Sequence, residues 1–460
     1  MTAGISSAAA KLRLSSLAQS ALVRGGLVVG AGILAGNIVG FVRVGVTAWF
    51  LGTHAHADAL AVAVGPVDTL STAIINTLLV SFVPMLMLRG SADRAAMFQK
   101  AARVFTGVLA AISAAVFALA PQFITLLGPG LAAEQHDQAT LLLRVLAPGI
   151  FFSGTSAIFA ALLYTERRFI IPAFYQACVN GATILGAMFL WKLIGVHGFA
   201  VGYTLGTATQ LILTWSASRG LARSLKGLGG TVPGLSEILI KPGMFLLYAA
   251  LISANILVTR AFATHGGPGM AAAFDYCLRC ISVVVAYLVY PVANSLVPEI
   301  AQLQRAHNSA RAFSLIGRSM RLMAACAIAA CGLGLLVRTQ AIEILFQRGS
   351  FTHESTLLVS AVFLGFAPAI VGWALMDLGS RCLFALDRTR LPVLAALVAV
   401  TINVVVMLVF GWPYSLNHPS MLAVGASTGL LVGFAALYVS LKMTKPAQVL
   451  EPEPAEVVAR

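Results

Sequence analysis

Two arginines, Arg43 and Arg279, stand inside apolar runs of a 460-residue chain in which only 10% of residues are charged. An ionisable group at such depth costs about 2.5–3.5 kcal/mol on insertion scales, so it usually faces a cavity or another charge rather than lipid. Arg43 continues a ridge of small residues, Gly32, Gly36 and Gly40, and lies seven residues past Gly36. Seven residues is almost two helical turns, which points Arg43 toward protein; snorkelling to the headgroups is the competing reading. Arg279 is far from both ends of its run and follows Asp275 by four residues. That spacing puts acid and base on one helix face, where the pair either neutralises itself or serves a site. A guanidinium fork fits carboxylate and phosphate oxygens, so the two arginines predict an anionic substrate on a central cationic path.

The acids have two readings each. Asp58 opens an apolar run just after His54 and His56; it either complements the macrodipole of its own helix or closes a gate with Arg43. Asp68 follows Pro66 by two residues in the middle of a long run. With Asp377 it supports a different function, a small-molecule exporter driven by a cation gradient, which needs acids in its cavity. A third class is a non-transporting scaffold for glycan synthesis. Asn255 and Asn403 are weak candidates for a sodium site, against the commoner use of asparagine in helix packing. No Gly-rich nucleotide loop, His/Glu metal spacing or nucleophile beside a base is present. Movement of a molecule, not bond chemistry, is therefore expected, with no cofactor and with membrane potential, protons or sodium as candidate drives. Cys277 and Cys280 have the CxxC spacing without the βαβ context of a redox pair, and read as small buried side chains.

The elements that position these groups follow from hydropathy. With 59% hydrophobic residues, the chain carries repeated apolar runs of the length that spans a bilayer core. They predict an all-α, polytopic membrane protein with about twelve transmembrane helices. The first six lie near 26–51, 57–88, 101–127, 139–164, 170–192 and 197–218; the second six near 242–263, 270–298, 313–337, 355–385, 391–412 and 420–441. The organisation is an N-tail (1–25), an N-lobe (26–220), a linker (221–241), a C-lobe (242–441) and a disordered tail (442–460). Of 30 Lys and Arg, 23 fall in the segments on the side of the termini, 4 in the opposite loops (Lys192, Arg260, Arg338, Arg348) and 3 within helices. This positive-inside bias puts both termini in the cytoplasm and accounts for the net charge of +14 without nucleic acid. A bacterial inner membrane is the expected location.

The halves also look alike. Phe82-Val83-Pro84 ends helix 2 and Leu296-Val297-Pro298 ends helix 8; Gly130 and Gly349 follow helices 3 and 9; basic residues precede Pro172 and Pro392. The offsets are 214, 219 and 220 residues. Six helices per copy make this a parallel repeat about an axis along the membrane normal, with a cavity between the lobes.

Several runs are similar to one family. Gly40-Phe41-Val42-Arg43, Asp58-Ala59 and Phe82-Val83-Pro84 resemble the start of the MurJ/MviN proteins. Arg168-Phe169 with Pro172-Ala173-Phe174 and Asn180 resembles their helix 4–5 junction, and Arg279 stands nineteen residues before Pro298, as their helix 8 arginine does. Leu345 through Thr352 is similar to their "LFQ-x-G-x-F-T" turn, and Arg381 through Val393 to their helix 10–11 junction. The resemblance covers residues from about 26 to 410. It implies a V-shaped pair of six-helix lobes in the multidrug/oligosaccharidyl-lipid/polysaccharide exporter superfamily. It further implies alternating access, a polyprenyl-pyrophosphate-linked saccharide as cargo, membrane lipids around it, and glycan synthases or polymerases as partners. Arg43 and Arg279 would then contact the pyrophosphate, and Asp58 would help close the outer gate. Asn37 stands where family members usually carry another arginine, Leu70-Ser71-Thr72 where they carry paired basic residues, and Val44 where an acid is common. The implied cargo is lipid II or another lipid-linked glycan, such as an exopolysaccharide or O-antigen repeat unit.

Overall fold

A long apolar run can satisfy its backbone polar groups in lipid only as a helix or a closed barrel. The structure, a computed structural model, has helices and no strand among its described residues. It describes residues 30–443 apart from 33, 88, 226–233, 307 and 412–417. The expected N-tail, the middle of the linker and the tail beyond 443 lie outside the described residues.

In chain order the helices are α1 (Gly30–Leu51), α2 (Ala55–Met87), α3 (Ser91–Ala118), α4 (Ala133–Thr165), α5 (Ile170–Ile194) and α6 (His197–Ser224). They continue as α7 (Leu235–Ala263), α8 (Met270–Arg305), α9 (Ser309–Phe346), α10 (limbs His353–Phe366 and Ala369–Ala385), α11 (Arg390–Val406) and α12 (Val424–Met443). Ten are long and apolar enough to cross a membrane, and the α10 limbs, bent by 50°, make an eleventh. The protein is thus a multi-pass membrane protein. The remaining helix, α6, carries more hydroxyls, yet these bond back to their own helix: Thr209 donates to the Leu205 carbonyl, Thr214 to Gln210 and Ser218 to Trp215. Such back-bonding lets a Thr-rich helix sit in apolar surroundings.

Prolines behave differently from the sequence expectation. Pro84 and Pro298 both stand inside their helices: α2 ends at Met87, close to the expected 88, and α8 runs on to Arg305, past the expected 298. A proline removes one N–H and crowds the carbonyl a turn earlier, but membrane helices tolerate this where neighbours restore the lost bond. α9 also runs on to Phe346, past the expected 337.

The repeat is visible in packing. In the first half α4 receives α2, α3 and α6, and α5 packs on α6; in the second half α10 receives α8, α9 and α12, and α11 packs on α12. Both fourth helices break at a proline, Pro148 and Pro368. Both then end on a non-glycine residue in the left-handed region, Arg167 at φ 56° and Asp387 at φ 60°. That conformation costs about 1–2 kcal/mol for an ordinary residue, so each copy keeps the same strained turn. The lobes meet where α2 packs against α7 and α8.

Candidate functional site

One end of the lobe interface is sealed by backbone. Four glycines approach the opposite lobe so closely that an added Cβ would overlap it: Gly52 on the Ser350 carbonyl, Gly269 on the Thr53 carbonyl, Gly130 on the Thr264 carbonyl and Gly349 on Trp49. Gly52, Gly269 and Gly349 also have φ of 53°, 86° and 62°, which glycine adopts without strain. Hydrogen bonds tie the same loops together. Ser350 N donates to the Trp49 carbonyl at 2.8 Å, Gly130 N to Thr264 Oγ1 at 3.0 Å, and Thr53 and Ser355 hydroxyls lie 2.8 Å apart. The Tyr276 hydroxyl donates to the Gly52 carbonyl at 2.8 Å. Beneath them, Phe41 stacks on Phe346 and Tyr276 packs on Phe346 and Phe351. The Leu345–Thr352 run thereby acquires a physical role: two buried rings, a positive-φ glycine, and Thr352 capping α10 through Ser355 N.

Asp58 belongs to this seal. It is 3% exposed, and its carboxylate accepts the backbone N–H groups of Gly269 (2.5 Å) and Ala272 (2.9 Å). It therefore caps the N-terminus of α8 in the other lobe, where orphan N–H groups and the helix dipole favour an anion. The expected pairing with Arg43 is not formed; Arg43 instead lies 3.9 Å from Asp68.

Below the seal, five charges converge from four helices. Arg43 and Asp68 come from α1 and α2; Arg260, Asp275 and Arg279 come from α7 and α8. Arg279 crosses the interface: its Nη2 donates to the Asn37 carbonyl at 3.0 Å, and its guanidinium rests on Gly40. Asn180 donates to the Gly36 carbonyl beside it. Gly40, the last glycine of the α1 ridge, thus serves as the floor under an arginine from the opposite lobe, whereas Gly32 and Gly36 pack on Ala173 and Gln176 of α5. Asn37 takes part through its backbone.

The alternative in which Asp275 neutralises Arg279 is not what the structure holds. Asp275 Oδ1 accepts from Arg260 Nη2 at 2.6 Å and Nε at 2.9 Å. Arg260, counted from sequence among the loop cations, is in α7 with 5% exposure, its guanidinium close against Gly65 of α2. Sequence reasoning missed this member of the charged cluster. The helix was expected to stop near it, at 263, and the Gly-rich turn beyond disguised it as a rim residue.

Asp68 marks the change from seal to cleft. α2 is enclosed through Val67, whereas Asp68 has a half-exposed side chain and Thr72 and Asn76 on the same face are exposed. On α8, Tyr287, Tyr290 and Asn294 are exposed in the same way. Polar side chains at this depth indicate a wet cleft between the lobes rather than lipid. Asp377, the other candidate cavity acid, accepts from Arg381 Nε at 3.0 Å. Both acids proposed for cation coupling thus have a cationic neighbour.

Asn255 and Asn403, far apart in sequence, meet in a buried knot between α7 and α11. Asn403 Nδ2 donates to the Asn255 carbonyl (2.9 Å), Asn255 Oδ1 (2.8 Å) and Thr259 Oγ1 (3.0 Å). An amide donor occupies the point these oxygens surround, so the arrangement fits helix packing better than a bound cation. No cluster of three or more His, Cys, Asp or Glu able to hold a metal occurs among the described residues.

Comparison with known proteins agrees with this architecture. A protein named probable lipid II flippase MurJ from Vibrio cholerae is 26% identical over 444 residues, covering 92% of this chain and 83% of its own length. One of the same name from Rhizobium meliloti is 24% identical, covering 89% and 78%. Among solved structures, a lipid II flippase MurJ in an inward closed conformation superposes with a TM-score of 0.77 at 18% identity, covering 90% of this chain and 87% of that one. An inward-facing MATE multidrug transporter of the MOP superfamily gives 0.67 at 13%, covering 88% and 94%. These likenesses show the shared fold. The family described as lipid II flippase MurJ matches residues 47–453, and the chain belongs to that family.

Proposed function

We propose that the protein carries a polyprenyl-pyrophosphate-linked saccharide from the cytoplasmic to the outer leaflet of a bacterial inner membrane by alternating access. The cargo is lipid II or a related lipid-linked repeat unit. The observation that carries this reading is Arg279, which reaches from the C-lobe onto Gly40 of the N-lobe, makes no ion pair within 4 Å among the described residues, and lies in the same charged cluster as Arg43. Two guanidinium groups on opposite lobes suit a pyrophosphate, whose oxygens accept paired N–H bonds. Binding between the lobes would couple cargo to the relative position of both. With the termini in the cytoplasm, the glycine seal faces outward and the Asp68–Asn76 face opens inward, a state ready to load. The reading requires no bond to be made or broken. Synthases or polymerases that consume the lipid at the outer leaflet are the expected partners.

The test is outward movement of the lipid-linked precursor in cells depleted of the native protein. Arg279→Ala should leave the protein in the membrane and trap the precursor on the cytoplasmic face. Normal outer-leaflet precursor in that strain would overturn the proposal.

A further inference from the structure

Two aspartate–arginine pairs in this chain share the i, i+4 spacing, and they behave differently. Asp377 and Arg381 on α10 form the expected ion pair at 3.0 Å. Asp275 and Arg279 on α8 do not; Asp275 turns to Arg260 on the neighbouring helix. Arg260 pays for this with Nη1, which is buried without a hydrogen-bond partner among the described residues. A buried ion pair with an orphaned donor is a poor stabiliser, so stability alone does not explain it.

We propose that Arg260 is a positioning residue that sequesters Asp275 and thereby keeps Arg279 charged and unpaired for an anionic cargo. This inference rests on the reading of Arg279 as an anion contact. With Asp275 held by two nitrogens of Arg260, Arg279 has only the neutral Asn37 carbonyl as an acceptor among the described residues. Without Arg260, Asp275 has Arg279 one turn away on its own helix. Gly65 completes the device, because the Arg260 guanidinium has the space it needs only where position 65 lacks a Cβ. Arg260 therefore acts through Asp275, without touching the cargo.

The experiment measures binding of inorganic pyrophosphate to the full-length protein in detergent, with a melting curve for each variant as a check on folding. Arg279→Ala defines the signal that belongs to the anion site. Arg260→Gln should weaken binding about tenfold or more, the loss of one charge-assisted contact. Gly65→Ala, which displaces the guanidinium without removing it, should weaken binding in the same direction and serves if Arg260→Gln does not fold. The decisive variant is the double Arg260→Gln/Asp275→Asn, which frees Arg279 again and should restore binding to within about threefold of the parent. A purely structural Arg260, or one that contacts the anion directly, gives no such rescue. Parent-like binding in Arg260→Gln and Gly65→Ala, or an unrescued double variant, overturns the proposal while leaving Arg279 as the anion contact. A parent protein whose pyrophosphate binding does not depend on Arg279 overturns both.

Discussion

Replacing Asp58 by alanine should unlatch the sealed end. The carboxylate joins the lobes through two N–H donors at the start of α8, at 2.5 and 2.9 Å. Hydrogen bonds to a charged group contribute about 1.5–3 kcal/mol each. The freed N–H groups regain water only when the seal opens, so the loss falls on the closed state. Taking about 3 kcal/mol as the net change gives a shift of roughly 100-fold from closed toward open. Asp58→Asn keeps an acceptor oxygen without the charge and should shift the balance by about half that free energy. The position of the balance can be read by disulfide capture between Thr53→Cys and Ser355→Cys, whose native hydroxyls are 2.8 Å apart across the lobes. In a background lacking the other cysteines, mild oxidation of membranes should cross-link the parent efficiently and Asp58→Ala poorly. Equal cross-linking in the two, at equal expression, would show that Asp58 does not hold the lobes together.

Asn403→Leu should lower the melting temperature of the purified protein by several degrees, because it strands buried acceptors on Asn255 and Thr259 at about 1–3 kcal/mol; melting in sodium and in potassium should coincide, and a sodium-specific stabilisation of the parent would make this knot a cation site after all. Asp377→Asn should leave translocation near the parent level, since its pair with Arg381 is partly exposed and links neighbours on one helix, a contact of less than about 1 kcal/mol. Loss of transport in that variant would instead favour the cation-coupled exporter reading.

Hydropathy and charge made the helices and the repeat legible, because the bilayer leaves the backbone so few options. Arg43 and Arg279 were legible for the same reason: a charge in an apolar run has to be explained. What escaped were matters of partnership between helices. Asp275 has Arg279 one turn away in sequence, yet Arg260, fifteen residues before it, wins by approaching from α7 with two nitrogens. Asp58 sits in the first turn of α2, where it suits its own helix; only the packing of the lobes brings the α8 N-terminus within reach. Pro298 reads as a helix stop, but α8 runs on to Arg305. The glycines of the seal are scattered from 52 to 349, with no local pattern to separate a close backbone approach from an ordinary turn.

The glycine seal has a consequence for leakage. A carrier wide enough for a sugar–phosphate head group would dissipate the proton gradient if its resting state held a continuous thread of water. At Gly52, Gly269, Gly130 and Gly349 the gap to the other lobe does not admit a single methyl group. A water molecule is of comparable size and needs two to four polar partners to be held, so none fits at these points. Beneath them the rings of Phe41, Tyr276, Phe346 and Phe351 close the path with apolar surface. The closed end is thus insulated by main chain and aromatic rings, and no ionic current is expected through it.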